Sequence, residues 1–365
     1  MMRIKEITKI LEDFAPLSFQ ESYDNAGLII GNKEDEVTGV LISLDVTEEV
    51  IDEALELGYN FILAHHPIAM GGVRRFNGSN YTERIIIKAI KNELAIYAGH
   101  TNVDSVMKGV NGKICEKIGL KDCKILAPKK KELLKIVTFV PEAHAEEVRA
   151  AMFEAGAGHI GNYDSCSFNL QGQGTFRAGD QTKPFVGEKG ALHLEKEVRI
   201  ETVVPAYLKK EVVSAMIKTH PYEEVAYDVY VLENNYEQAG SGMYGVLASP
   251  EDELTFLKRI KQTFGAGVVK YTRLMHKPIK TVAVCGGAGS FLINRAKSVG
   301  ADIFISGDFK YHQFSDAENE LIIADIGHFE SEQFTKEVFF ELLTKKIPNF
   351  AVHLSKVNTN PIKYL

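Results

Sequence analysis

Residues 40–66 open on Val40-Leu41-Ile42-Ser43-Leu44-Asp45 and close on Gly58-Tyr59-Asn60-Phe61-Ile62-Leu63-Ala64-His65-His66. The pattern is a short apolar strand, a helix-length segment, a glycine and a second apolar strand. Strands that are apolar without alternation belong to a parallel sheet buried on both faces, and the segment between them suits a crossover helix. Residues 282–308 repeat the pattern. They begin Val282-Ala283-Val284-Cys285-Gly286-Gly287 and end Gly300-Ala301-Asp302-Ile303-Phe304-Ile305-Ser306-Gly307-Asp308, and a constant offset of 242 aligns the two blocks without a gap. Downstream, Asn92-Glu93-Leu94-Ala95-Ile96-Tyr97-Ala98-Gly99-His100 resembles Asn319-Glu320-Leu321-Ile322-Ile323-Ala324-Asp325-Ile326-Gly327-His328, with one extra residue in the second copy. Each copy thereby gains a third apolar strand that stops at Gly-His. The expected fold class is α/β: two related halves with parallel-rich sheets that form one unit.

A different segment separates the halves. Leu134 to Val140 alternates like a strand and is closed by Pro141; Ala143 to Ala155 reads as a helix; Gly156 to Gly161 is a glycine-rich turn. Glu197 to Val204, closed by Pro205, repeats the strand-then-proline pattern, Ala206 to Thr219 is again helical, and Tyr227 to Leu232 alternates. The order β-α-β … β-α-β predicts a ferredoxin-like α+β domain, inserted over residues 129–237 between flanks 1–128 and 238–365. Both ends of the insert are polar, as suits insertion into a surface loop. Lys129-Lys130-Lys131 reads as a solvated linker.

Composition narrows the class. The 365 residues are 45% hydrophobic and 25% charged, values ordinary for a globular chain. With 42 basic and 49 acidic side chains the net charge is −7, so the basic footprint of a dedicated nucleic-acid binder is missing. The four cysteines, Cys115, Cys123, Cys166 and Cys285, form no CxxC pair and no disulfide framework. The start, Met1-Met2-Arg3-Ile4-Lys5-Glu6, is not a secretory signal, and no stretch approaches the ~18 apolar residues of a membrane span. The expectation is a cytoplasmic protein with no membrane partner.

Ligands of open α/β sheets gather at the carboxyl ends of the strands. His65-His66-Pro67 stands at such an end. Neighbouring strand residues point to opposite sides, so two adjacent histidines serve one site only if the strand stops there, and Pro67 helps to stop it. Each half then carries His-x₃-carboxylate: His100 to Asp104, and His328 to Glu332. If a helix starts near His328, it and Glu332 share one face. Imidazoles and carboxylates without thiolate suit Zn²⁺, Mn²⁺ or Fe²⁺. His100, the repeat equivalent of His328, is read as a neighbour of the site, and His312 as an acid/base or substrate contact.

Two further motifs have a plainer reading beside the functional one. Gly286, Gly287, Gly289 and Ser290 follow a strand and open a helix, where backbone N–H groups can cradle a phosphate. Tight strand–helix packing explains the same glycines, and the lysine of a P-loop is missing. His220-Pro221-Tyr222-Glu223-Glu224 reads as a turn before the last strand of the insert rather than as a metal motif.

Taken in order, Ser22-Tyr23-Asp24-Asn25-Ala26-Gly27-Leu28, Ala64-His65-His66-Pro67, His100-Thr101-Asn102-Val103-Asp104, Gly307-Asp308-Phe309-Lys310-Tyr311-His312 and Gly327-His328-Phe329-Glu330-Ser331-Glu332 resemble the Nif-three-like dinuclear-metal family, also labelled GTP cyclohydrolase 1 type 2 homologues. The resemblance covers both flanks. Tyr23 departs from it, since many members carry Trp there. The insert looks like the PII-like or CutA-like domain of longer bacterial members. The resemblance implies two divalent metal ions per chain, zinc first among Zn, Mn and Fe. They would be held by His65, His66, Asp104, His328 and Glu332, with Glu332 as bridge. It also implies a homohexameric ring and a nucleotide-like small molecule as partner.

The function expected from this is metal-dependent hydrolysis: opening of a guanine nucleotide ring with loss of formate, or cleavage of a phosphoester. His100 or His312 would move the protons, and the turn from Gly286 to Ser290 would hold phosphate. The alternative is a non-enzymatic, metal-binding or ligand-sensing hexameric scaffold, suggested by the insert's likeness to signalling domains.

Overall fold

The computed structural model describes residues 2–365. The chain divides into two compact units, one made of residues 1–128 with 237–365 and the other of residues 129–236. Among the described residues, no helix is long and apolar enough to cross a membrane.

The larger unit is a mixed α/β fold built on two parallel-rich sheets. In the first, Val40–Ser43, Phe61–Ala64 and Ala95–Ala98 run parallel, with Val40 opposite Phe61 and Phe61 opposite Ala95. Every residue of these three strands is buried, as an apolar run without alternation requires. Gly27–Ile30 closes one edge antiparallel to Ala95–Ala98, and Val352–Leu354 closes the other parallel to Val40–Ser43. Helices Glu48–Glu56 and Tyr81–Lys91 cover the sheet through Val50, Ile51, Ala54, Ile85, Ile86 and Ala89. Thr47 and Asn80 cap them, each side chain accepting an N–H from the first turn.

The second sheet repeats the parallel core. Ile279–Ala288, Ile303–Gly307 and Ile322–Asp325 run parallel, with Val282 opposite Ile303 and Ile303 opposite Ile322. The Val282–Ile303 pairing carries the register of Val40–Phe61 through the offset of 242. Lys270–Tyr271 lies antiparallel on one edge. On the other side Asn235–Glu251 lies antiparallel to Ile279–Ala288, and Lys121–Lys130 lies beyond it. The lysine run at 129–131 is thus strand through Lys130, and the turn falls at Lys131, whose φ is +63°.

The smaller unit is a four-stranded antiparallel sheet in the order Tyr227–Leu232, Leu133–Pro141, Leu192–Pro205, Ser167–Arg177. Helices Ala145–Glu154 and Lys209–Thr219 share a core with it, made by Val148, Met152, Val212 and Met216 against Ile136, Val140, Ile200 and Val204. The strand Ser167–Arg177 stands where the expected order has its second strand, to which the sequence reading assigned no residues; Gly172 and Gly174 interrupt its alternation.

Candidate metal centre

The carboxyl ends of the parallel strands bring distant side chains to one place. His65 and His66 follow Ala64 directly, and the N–H groups of both donate to the carbonyl of Leu44, at 3.1 and 3.0 Å. The strand therefore ends there, and both rings serve one site, their centroids 4.8 Å apart. His328 and Glu332 stand one turn apart in the short helix His328–Glu332, so they share a face. Asp104 comes from the turn Thr101–Ser105 that follows the third strand of the first half.

Glu332 is the focus. Its Oε2 lies 3.0 Å from Nε2 of His66, 3.0 Å from Nε2 of His328 and 3.7 Å from Nε2 of His65. Asp104 Oδ1 is 3.6 Å from the same atom of His65. Room for Glu332 depends on Gly286 and Gly287. A Cβ on Gly287, whose φ is +63°, would stand 2.3 Å from Glu332 Oε1, and one on Gly286 would stand 3.3 Å from its Cγ. Gly286 N–H donates to Asn111 and Gly287 N–H to Ser331, both at 2.9 Å, so these two donors are held within the protein. Ser290 accepts a 2.8 Å bond from Gln313. Gly289 packs against Ser306 and Cys285, where a Cβ would come within 2.4 Å of the Ser306 oxygen.

Each histidine is fixed from behind. His65 is fully buried, and its Nδ1–H donates to the Gly99 carbonyl at 2.8 Å. His66 Nδ1 meets Asp45 at 2.7 Å, His100 Nδ1 meets Asp24 at 2.7 Å, and His328 Nδ1 meets Asp308 at 2.7 Å. A carboxylate on Nδ1 fixes the tautomer and turns Nε2 toward the site. Asp24 also accepts from the N–H and hydroxyl of Thr101, and Asp45 from the Thr359 hydroxyl at 2.7 Å. Asp308 holds its place in a left-handed conformation, φ +56°, which aspartate tolerates better than most residues.

These backing carboxylates were not singled out as functional in the sequence, although each left a trace. Asp45 ends the first repeat strand, Asp24 stands in the Ser22–Leu28 motif, and Asp308 is the partner of His66 under the offset of 242.

The electrostatics are those of a cation site. Burial pulls the His65 imidazole down, toward the neutral form. Burial also opposes protonation of His66, but Asp45 and Glu332 outweigh it and push its pKa up to about 10. At His328 the same opposition, with Glu332 and Asp308 prevailing, gives about 9. Burial and then the Glu332 charge raise the Asp104 carboxyl. At Glu332 burial is overcome by the surrounding imidazoles, which hold its carboxyl low. Two buried atoms, Nε2 of His65 and Oδ1 of Asp104, have no hydrogen-bond partner among the described residues. A lone pair and a carboxylate oxygen that face each other without a donor between them fit a cation.

Three groups of side chains have ligand atoms close enough to hold an ion: His65, Asp104 and Glu332; His66, His328 and Glu332; and His65, His66 and His100. His312 is in none of them. It lies in the turn Tyr311–Ala317 with its ring against Tyr311, at 5.2 Å. His220, in the smaller unit, binds the Phe139 carbonyl at 3.0 Å through Nε2 and receives the Tyr222 N–H at 3.1 Å, a turn within its own unit.

Fold and site together define a two-sheet α/β protein with a cluster of histidines and carboxylates whose ligand atoms are close enough to hold a metal ion. The chain belongs to the Duf34/NIF3 (NGG1p interacting factor 3) family, whose profile matches residues 2–361. It is 42% identical over 364 residues to a Halalkalibacterium halodurans protein named GTP cyclohydrolase 1 type 2 homolog, covering 98% of each chain. A Bacillus subtilis protein of the same name is 38% identical over 367 residues, with 99% of this chain and 98% of that one covered. Among solved structures, a Bacillus cereus protein related to NIF3 superposes with a TM-score of 0.86 at 41% identity, over 100% of this chain and 99% of that one.

Proposed function

We propose that this chain is a metal-dependent hydrolase that holds two divalent cations. The observation that carries the reading is that Glu332 belongs to two ligand groups at once, with His65 and Asp104 on one side and His66 and His328 on the other. A carboxylate so shared is suited to bridge two ions. Zinc is the first expectation among Zn, Mn and Fe, given imidazole and carboxylate donors. Held by these residues, two such ions would lower the pKa of water toward neutrality and polarise a substrate oxygen.

The protein's own groups supply the rest. His100 has its Nδ1–H fixed by Asp24, which leaves Nε2 to accept and return a proton beside the cluster. The site is open on one side, since the His328 and Asp104 side chains keep 34% and 23% of their surface exposed. The name shared by the relatives points to a guanine nucleotide as substrate, with a phosphoester as the second class to test.

The smaller unit is read as a ferredoxin-like, CutA-like insertion, supported by its strand order and by the two helices that share one core with the sheet. The assembly is read as a homohexamer, which light scattering in solution tests.

The functional test measures formate and phosphate released from a panel of nucleotides by metal-loaded and by chelator-treated protein. Release that needs metal and is lost in the His100→Ala variant supports the reading. Metal-loaded protein that turns over no member of the panel overturns it.

A further inference from the structure

In the larger unit, the helix Val110–Ile118 ends at Gly119, whose φ of +82° lets the chain fold straight back over the last turn. The N–H groups of Gly119 and Leu120 donate to the Cys115 carbonyl, at 3.0 and 2.9 Å, and the strand Lys121–Lys130 starts at the next residue. The return brings Cys123 back to the helix. Strand alternation puts Cys123 on the face of the buried Ile125, with Asp122 and Lys124 on the other. Gly245, on the neighbouring strand, leaves space for the Cys123 sulfur, since a Cβ there would stand 2.9 Å from it.

Two free thiols thereby meet. Cys115 and Cys123 hydrogen-bond to each other, and neither is in a disulfide. Their surroundings differ. Cys115 is 2% exposed, whereas Cys123 is only half-buried. The bond from Cys115 holds the Cys123 thiol below the usual range of thiols, against the effect of burial. The same bond, together with burial, pushes the Cys115 thiol up. The other two cysteines are engaged elsewhere. Cys166 lies in the smaller unit and donates to the Asp164 carbonyl at 3.5 Å, and Cys285 donates to the Gly286 carbonyl at 3.4 Å.

A partly exposed thiol that ionises readily is the one an oxidant attacks first, and a second thiol in contact with it can resolve the product. The pair also sits where a cross-link has something to hold. Its helix serves the metal centre at the other end, where Asn111 accepts the Gly286 N–H at 2.9 Å and donates to the Asp104 carbonyl at 3.0 Å.

We propose that Cys115 and Cys123 form a modification site, a reversible disulfide made with a hydroperoxide as oxidant. With hydrogen peroxide, the Cys123 thiolate attacks one oxygen and the O–O bond breaks. Cys123 becomes a sulfenic acid, and the departing hydroxide recovers the proton that Cys123 had given up, leaving as water. Cys115 has then lost the thiolate that kept it protonated. It gives up its proton and attacks the Cys123 sulfur. The S–S bond forms, the S–O bond breaks, and hydroxide leaves with the Cys115 proton as a second water. Two thiols lose two electrons, and one peroxide gains them. A dithiol reductant reverses the step by exchange.

The test treats the full chain, as purified, with hydrogen peroxide and counts thiols after denaturation. The count should fall from four to two. Tryptic digestion without reductant should yield Ile114–Lys117 joined to Asp122–Lys124. Dithiothreitol should restore four thiols. Cys115→Ser should leave Cys123 as a sulfenic acid that dimedone captures, a product the unsubstituted chain should not accumulate. Cys166→Ser should form the same linked peptides. Four thiols that persist in excess peroxide, pairing through Cys166 or Cys285, or a count that dithiothreitol does not restore overturns the proposal.

Discussion

Nε2 of His66 lies 3.0 Å from Oε2 of Glu332, a residue 266 positions further along the chain. The contact joins the two α/β halves at their strand ends. It leaves one carboxylate surrounded by imidazoles, a geometry that a metal-free protein sustains only by holding protons.

Glu332→Ala is expected to cost more metal than any single histidine substitution, because Glu332 alone belongs to two carboxylate-bearing ligand groups. At least one metal position should empty while the fold stands, since the buried strands before the ligands carry the core. His220→Ala, in the other unit, should leave metal content unchanged. Elemental analysis per chain, with circular dichroism as control, checks both. Retention of two metals by Glu332→Ala sinks the assignment.

Metal binding should release protons. With folded pKa values of about 10 and about 9, His66 and His328 are protonated at neutral pH in the metal-free protein, above the ~6.5 of a free imidazole. Their contribution to stability is complete below about pH 6.5 and is lost as pH rises through 9 and 10. Cations compete with those protons, so apparent affinity should increase from pH 6 toward pH 9. Titration calorimetry in buffers of different ionisation heat should count about two protons released. A count of zero contradicts the protonated cluster.

Asp104→Asn should act with opposite signs on metal-free stability and on metal. The Asp104 carboxyl is raised by burial and by the charge of Glu332, so its ionised form is unfavourable without a cation. Removing the charge should stabilise chelator-treated protein by about 1 kcal/mol and weaken metal binding. Thermal melts with and without metal read both effects. Equal destabilisation in both states would show Asp104 to be an ordinary structural residue.

How much of this centre was legible in the sequence depended on the strand ends. His65-His66 after an apolar run and the two His-x₃-carboxylate motifs mark places that a parallel sheet must gather. The register followed from the repeat, since Val40–Phe61 and Val282–Ile303 are equivalent pairs. The backing residues were harder to see. Asp24 and Thr359 reach the site from loops whose convergence no periodicity encodes. The strand Asn235–Glu251 was hidden by Gly240, Gly242 and Gly245, yet Gly240 is there because a Cβ would stand 2.2 Å from the Ala127 carbonyl. Ser167–Arg177 was hidden in the same way by Gly172 and Gly174. His312 drew notice from its motif, but a motif does not say which way a turn faces.

Gly287→Ala should disturb the centre without touching a ligand. Its φ of +63° disfavours any side chain, and the new Cβ would displace Glu332 Oε1. A loss of about 1–3 kcal/mol is expected from strain at such a position, together with weaker metal binding. Denaturant melts and metal titration check it. Wild-type metal affinity in this variant would mean that Glu332 has freedom the structure does not show.

Deleting residues 129–236 should leave the larger unit folded. The strands that lead out and back, Lys121–Lys130 and Asn235–Glu251, are neighbours in one sheet, so a short linker spans the gap. Each unit has its own core. Retained metal content and a cooperative melt are the expected outcome, and a deletion that unfolds refutes the independence of the units.

The edge strand Val352–Leu354 completes the first sheet on Val40–Ser43, and Thr359 then reaches Asp45 behind His66. Pairing of this kind makes the first half a debtor to the last stretch translated. While a ribosome is still making the second half, the first sheet keeps an open edge and His66 lacks its full support. Contacts so distant in sequence also form slowly. The centre is therefore the last thing the nascent chain can finish, and a cation arriving early meets only part of its binding groups. Every side chain of the cluster exists once residue 332 is made, but the support behind His66 is complete only at residue 359.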